Sequence, residues 1–302
     1  MSKGWLTQSE RGSPFLIECL LWVALKLGRP TARALLYPIC AYFVAFPRRA
    51  SRGLSLYLQR VLGRSVSIRD LFRQYHCFAS TMLDRVYIHT KQFHMFDLDI
   101  HGAEILFDRV VKGQGCLLLG SHLGSFDIVH ASCIKYFPKI EDLPIKILMY
   151  EETTKGVSQV FHRLNPGMAQ TIIPIGSPDS MLLVKESLDR GELVGILGDR
   201  AAKGDKVVSC NFLGMPVNLP TGPMILATIL KVPVVLFFGL YMGRNRYEIY
   251  FEPFIDTLTV DRHSRDQVVR EWTQRYAERL EFYCRKAPYN WFNFFDYWNE
   301  TD

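Results

Sequence analysis

The octet Gly-Ser-His-Leu-Gly-Ser-Phe-Asp, residues 120–127, places a histidine and an aspartate five positions apart. An imidazole titrates near neutrality and takes a proton from a hydroxyl when its other nitrogen is held by an acceptor. A base positioned in this way contributes about 10²–10⁴ in rate. The octet follows Cys116-Leu117-Leu118-Leu119, which reads as a buried strand. In open α/β sheets the functional groups collect at the carboxyl ends of strands, where His122 falls. Ser125 is placed to cap the next helix, which puts Asp127 in its first turn, where the helix dipole favours a carboxylate. If Leu123-Gly124-Ser125 turns tightly, Asp127 accepts a hydrogen bond from one ring nitrogen and the other faces outward. His122 and Asp127 are therefore the expected catalytic pair. The spacing alone also allows a histidine at the core edge that merely caps a helix. Ser121 or Ser125 as a nucleophile would give a hydrolase instead, but the centre of Gly-Ser-His-Leu-Gly is His, not the Ser of a nucleophile elbow.

The elements that must position this octet are legible in outline. From Gly4 to about Gln92 the pattern is helical, with breaks expected at Pro30, Pro38 and Pro47. From Asp97 strands and helices alternate. Strands are expected at 97–101, 116–119, 146–150, 171–175, 193–197, 232–238 and 247–254. Helices are expected at 103–112, 126–137, 154–164, 180–190, 224–230 and 264–286. This alternation predicts an α/β fold, a largely parallel sheet flanked by helices. The division expected is a helical, basic, membrane-associated region over 1–92 and a catalytic α/β domain over 93–302.

The 302 residues are 48% apolar, enough for a sizeable core, and carry a net charge of +6. Residues 1–73 hold 12 Lys and Arg against 3 Asp and Glu, so the basic excess lies wholly in the N-terminal region. There it alternates with apolar runs, 15–25 and 35–46, shorter than the roughly 20 apolar residues a spanning helix needs. Trp5, Trp22, Tyr37 and Tyr42 are aromatics of the kind favoured at a membrane interface. Helices lying on an anionic membrane surface are expected, with a buried helical hairpin as the alternative. No basic strip interleaved with exposed aromatics supports nucleic-acid binding. The seven cysteines are scattered without metal or disulfide spacing, so neither a structural metal nor a secreted disulfide scaffold is expected.

The octet resembles the H-x4-D/E signature of the glycerolipid acyltransferase superfamily, specifically its bacterial lipid A biosynthesis branch of lauroyl and myristoyl transferases. Further blocks carry the resemblance: Leu35-Leu36-Tyr37-Pro38-Ile39; Tyr150 followed by a helix bearing Arg163; Gly198-Asp199-Arg200; Phe212-Leu213-Gly214-Met215-Pro216; Thr221-Gly222-Pro223; and Pro288-Tyr289-Asn290-Trp291. The resemblance implies transfer of a fatty acyl group from an acyl carrier protein or coenzyme A thioester, as co-substrate without a further cofactor. The acceptor would be a hydroxyl or amine of a membrane lipid or glycolipid at the cytoplasmic face of a bacterial inner membrane. His122 would deprotonate that acceptor and Asp127 would hold the imidazole.

Arg200, at another strand's carboxyl end, would bind an anionic head group, the phosphopantetheine phosphate or the developing oxyanion, with Asp199 orienting it or supporting the site from behind. A surface ion pair is the alternative for Asp199 and Arg200, and an ordinary helix-surface charge for Arg163. Tyr150 and Arg163, in the second block, are expected among the substrate-binding residues. Gly214 is expected in a loop over the pocket, or in a plain turn.

Two departures bear on the acceptor. The second block of the lipid A enzymes begins Tyr-Arg-Pro, where this chain has Tyr150-Glu151-Glu152. Their closing motif continues into a basic run, where this chain has the aromatic stretch 290–298. Loss of these cations points to a less phosphorylated acceptor, as in relatives found with aryl polyene and flexirubin-type pigment clusters. A non-catalytic lipid- or carrier-binding protein is the remaining alternative.

Overall fold

The computed structural model describes residues 14–46, 49–136, 145–149, 163–165, 171–176, 179–202, 204–256 and 263–298. Three helices open the chain: α1 (Pro14–Ala45), α2 (Arg49–Leu62) and α3 (Ile68–His89). The break in α1 falls at Gly28, whose φ of 82° and ψ of 170° are non-helical, and not at the prolines. Pro30 follows in the first turn after the kink, where a missing N–H costs nothing, and Pro38 lies within the helix. Pro47 lies outside the described residues. Helix α3 starts with a capping box: the Ser67 side chain accepts from the Asp70 N–H, and the Asp70 carboxylate accepts from the Ser67 N–H.

The strands are β1 (Asp97–His101), β2 (Cys116–Gly120), β3 (Ile145–Met149), β4 (Ile172–Pro174), β5 (Leu193–Leu197), β6 (Val207–Phe212), β7 (Met215–Pro220), β8 (Val234–Gly243) and β9 (Arg246–Ile255). The later helices are α4 (Ala103–Val111), α5 (Phe126–Tyr136), α6 (Ser180–Asp189), α7 (Gly222–Leu230) and α8 (Arg265–Lys286). Seven strands form one sheet in the order β1-β9-β8-β2-β5-β3-β4. All its pairings are parallel except the β8–β9 hairpin. The expected α/β architecture is thus observed. Of the helix expected over 154–164, only 163 and 164 are described.

Strand β2 is buried along its whole length, as a central parallel strand with both faces covered must be. The period of two divides its side chains between two cores. Leu117 and Leu119 join Val194, Ile196, Leu236 and Phe238 beneath α2, α7, α8 and the C-terminal segment. Cys116 and Leu118 join Leu193, Val235 and Phe237 beneath α1, α3, α4 and α5. The N-terminal helices therefore share both cores with the sheet. Arg29 ties the second half of α1 down through a bidentate bond to buried Asp84 of α3, at 2.8 and 2.9 Å. Asp84 also accepts from the Tyr247 hydroxyl, so the buried carboxylate is fully paired.

The β6–β7 hairpin was not expected from the sequence. Its turn residues Leu213 and Gly214 both have positive φ, 52° and 79°, as a two-residue hairpin loop demands. Gly214 therefore occupies a turn. All seven cysteines are free, and only Cys19 is exposed.

Candidate active site

Strands β2 and β5 are neighbours in parallel register, with Gly120 paired to Leu197. His122 and Asp199 each lie two residues beyond that pair, so they emerge side by side at the carboxyl edge of the sheet. Nδ1 of His122 lies 2.8 Å from Oδ1 of Asp199. The His122 backbone N–H is 3.1 Å from both carboxylate oxygens. The Trp291 indole N–H donates to Oδ2 at 3.0 Å, and the Tyr297 hydroxyl donates to the Asp199 backbone carbonyl at 2.5 Å. Asp199 is fully buried, whereas the His122 side chain is 29% exposed. Bonding of Nδ1 to the carboxylate assigns its proton there and leaves Nε2 as the basic nitrogen. Among the described residues Nε2 has no hydrogen-bond partner, which leaves it able to accept a proton.

The electrostatics suit that role. Burial pushes the His122 imidazole below its usual range and the Arg200 charge adds to this, against the opposing pull of Asp199. Burial alone would raise the Asp199 carboxyl, yet His122, Arg200 and the Trp291 indole outweigh it and lower it to about 2. Arg200 itself is held by the C-terminal segment. Its Nε donates to Asn293 Oδ1 at 3.1 Å, its Nη2 donates to the Phe292 carbonyl at 2.8 Å, and its guanidinium lies 5.6 Å from the Phe295 ring centre.

The expected bond between His122 and Asp127 does not form. Residues 123–125 do not close into a tight turn. Leu123 pairs with Trp291 on one side and Gly124 with Gly239 on the other. Gly124 has a φ of 77°, and a Cβ there would meet the Gly239 carbonyl at 1.9 Å, so only glycine permits this path. The path carries the first turn of α5 onto α3. There Asp127 lies 2.8 Å from Arg85 Nε and 2.9 Å from His89 Nε2. Burial would raise its carboxyl, but the Arg85 charge and the His89 hydrogen bond hold it well below the usual carboxylate range. Ser125 does lie at the helix start, its Oγ 3.4 Å from the Ile128 N–H. The imidazole is bonded to Asp199, and neither Ser121 nor Ser125 is its partner.

The other residues expected at the site are distributed more widely. Asp199 and Arg200 flank His122, with the aspartate bound to the imidazole and not to the arginine. Arg163 forms an exposed ion pair with Glu18 of α1 at 3.2 Å. Tyr150 lies outside the described residues. Trp291 ends the closing block that carried the resemblance, with no role assigned to it, while Tyr297, Asn293 and Tyr276, the last donating to the Gly120 carbonyl at 2.7 Å, were given no role from the sequence. The aromatic density of 289–298 was the signal for Asn293 and Tyr297, and Tyr276, within the helix 265–286, had none. Among the described residues no group of three or more His, Cys, Asp and Glu is arranged to hold a metal.

A histidine bonded to a buried carboxylate at the edge of a largely parallel sheet is an arrangement that can take a proton from a hydroxyl or amine. The sequence matches the family model described as bacterial lipid A biosynthesis acyltransferase over residues 6–300, and the chain belongs to that family. It is accordingly an acyltransferase of lipid biosynthesis, acting between an acyl donor and a lipid acceptor. A search among curated proteins found no match.

Proposed function

We propose that the protein moves a fatty acyl group from an acyl thioester, carried by acyl carrier protein, to a hydroxyl or amine of a membrane lipid or glycolipid, with His122 as general base and Asp199 as its acceptor. The observation that carries this reading is the 2.8 Å contact between Nδ1 of His122 and the fully buried Asp199 at the carboxyl ends of adjacent strands. Nε2 takes the proton of the acceptor as its oxygen or nitrogen attacks the thioester carbonyl. The tetrahedral adduct collapses with cleavage of the carbon–sulfur bond, and the imidazolium returns the proton to the departing thiolate. Asp199 stabilises the imidazolium in between, and the Arg200 charge stands beside the developing oxyanion. The enzyme forms no covalent acyl intermediate in this scheme.

Membrane association rests on the aromatic and apolar side chains left exposed along α1 and just after it. Trp22, Leu25, Leu27, Leu35, Tyr37 and Phe46 are exposed there, Trp22 at 58% and Phe46 at 63%. No helix among the described residues is long and apolar enough to cross a membrane. The protein therefore lies on an anionic leaflet through aromatic and apolar side chains, aided by the basic charge of residues 1–73. We place it at the cytoplasmic face of the bacterial inner membrane, where acyl carrier protein is available. The acceptor carries few phosphates, in keeping with Glu151 and Glu152 where relatives have Arg-Pro.

The test combines detergent-purified protein, radiolabelled acyl carrier protein and a total bacterial lipid extract. Label enters a new lipid with wild type and not with His122→Ala or Asp199→Asn, and mass spectrometry of that lipid names the acceptor. Equal labelling by folded His122→Ala would end the general-base assignment. Release of free fatty acid alone would favour a hydrolase.

A further inference from the structure

The Asp199 carboxylate needs a second restraint if it is to hold an imidazole in one orientation. A carboxylate pivots about its Cβ–Cγ bond, and the Nδ1 contact and the His122 backbone N–H, 3.1 Å from both oxygens, restrain it from the His122 residue alone. The restraint supplied by another residue is the Trp291 indole N–H, 3.0 Å from Oδ2. Trp291 is itself completely buried. Tyr57, Phe212 and Tyr297 meet its ring edge-to-face at 4.8, 5.2 and 4.7 Å between centroids, which fixes the indole plane from three directions. Its carbonyl accepts from Gln74 at 2.6 Å, and its backbone pairs with Leu123, the residue after His122. One residue thus grips both the carboxylate and the loop that carries the base.

We propose that Trp291 is a positioning residue for acyl transfer, its indole N–H holding Oδ2 of Asp199 so that Oδ1 stays aligned with Nδ1 of His122. This rests on the assignment of His122 as base and Asp199 as its acceptor. Orientation is one part of the effect, and charge is the other. A neutral N–H donor stabilises the ionised carboxylate without cancelling its charge, so Asp199 remains available to the imidazolium. The groups facing the His122–Asp199 pair are Arg200, the phenols of Tyr276 and Tyr297, and the Cys284 thiol. Burial pushes both phenols and the thiol well up, so none of them titrates near neutrality. A change in the acid limb of the pH profile therefore reports on the His122–Asp199 pair. Without the indole donor the carboxylate draws the proton on His122 more strongly, and the imidazole becomes a stronger base held less firmly.

The experiment compares wild type, Trp291→Phe and a variant in which Trp291 is replaced by 3-benzothienylalanine, an isostere with sulfur in place of N–H. Acyl transfer from acyl carrier protein is followed against pH, with Asp199→Asn alongside. Loss of the N–H should lower kcat by about 10–100-fold, by analogy with the cost of removing the outer partner of a metal-bound histidine. KM should change little, and the acid limb should move to higher pH. The isostere keeps the indole shape, so these effects persist in it even if Trp291→Phe fails to fold. Wild-type kcat and an unshifted limb in the isostere, with Asp199→Asn inactive, would show Trp291 to be a packing residue and overturn the proposal. Activity retained by Asp199→Asn would instead overturn the underlying pairing, and the role of Trp291 with it.

Discussion

Asp127 and Asp199 are both buried, both next to a histidine, and both held below the ordinary carboxylate range. Their surroundings differ in one decisive respect. Asp127 lies 2.8 Å from the guanidinium of Arg85, a permanent cation, with His89 on its other oxygen. Asp199 is gripped by a backbone N–H, an indole N–H and the imidazole of His122, while Arg200 nearby directs bonds to Asn293 and the Phe292 carbonyl. A carboxylate already neutralised by a guanidinium has little left for an imidazolium that forms only during turnover. One held mainly by neutral donors keeps its charge for that moment. The same residue type in two buried settings thus fastens α5 to α3 in one case and holds the His122 imidazole in the other.

The contrast can be broken most directly at Asp199. Asp199→Asn should lower kcat/KM by about 10²–10⁴-fold, since it removes both the charge and the acceptor that sets the tautomer. Circular dichroism should show the fold retained. Asp127→Asn should leave turnover within about tenfold of wild type but weaken the fold, by about 2 kcal/mol in urea unfolding at pH 7. That value is below the 3–5 kcal/mol of a fully buried pair because the Arg85 side chain is 25% exposed. Inactive but stable Asp127→Asn protein, with active Asp199→Asn, would reverse the assignment of the two carboxylates.

Acid titration separates the pair further. The folded Asp127 carboxyl lies below its unfolded value, so its stabilisation is complete above about pH 4 and is lost as pH falls toward the folded value. Wild type should therefore lose stability below about pH 4 more steeply than Asp127→Asn. The smallest effect expected is kinetic. His122 is held below its ordinary range by burial and by Arg200, so the acid limb of kcat/KM should fall below about pH 6.5. Arg200→Met removes a positive neighbour, and the limb that remains should move to higher pH. A limb unmoved by that change would show that Arg200 does not act on the base through its charge.

Much of this organisation was legible in the residues themselves. The run Cys116–Leu119 is apolar on both faces because β2 lies at the centre of a parallel sheet, and the regular alternation from Asp97 onward follows from helices covering that sheet. The β6–β7 hairpin escaped notice because its turn is Leu213-Gly214, without the Asn or Asp that usually marks a two-residue loop. The break in α1 went to Gly28 because a positive φ is open to glycine, while Pro30 and Pro38 fit within the helical path.

The sequence by itself determined that His122 stands at a strand end with a carboxylate near in the chain, and that the fold is α/β. Only the tertiary structure decided which carboxylate it meets. Asp199 is 77 residues away, and its place beside His122 depends on β2 and β5 being neighbours in register. That adjacency is set by how seven strands share two cores, and strand order leaves no periodicity in the chain. The nearer Asp127 is carried onto Arg85 and His89 by a loop pinned between Trp291 and Gly239. Closeness in sequence yields there to hydrogen bonds that only the assembled sheet supplies.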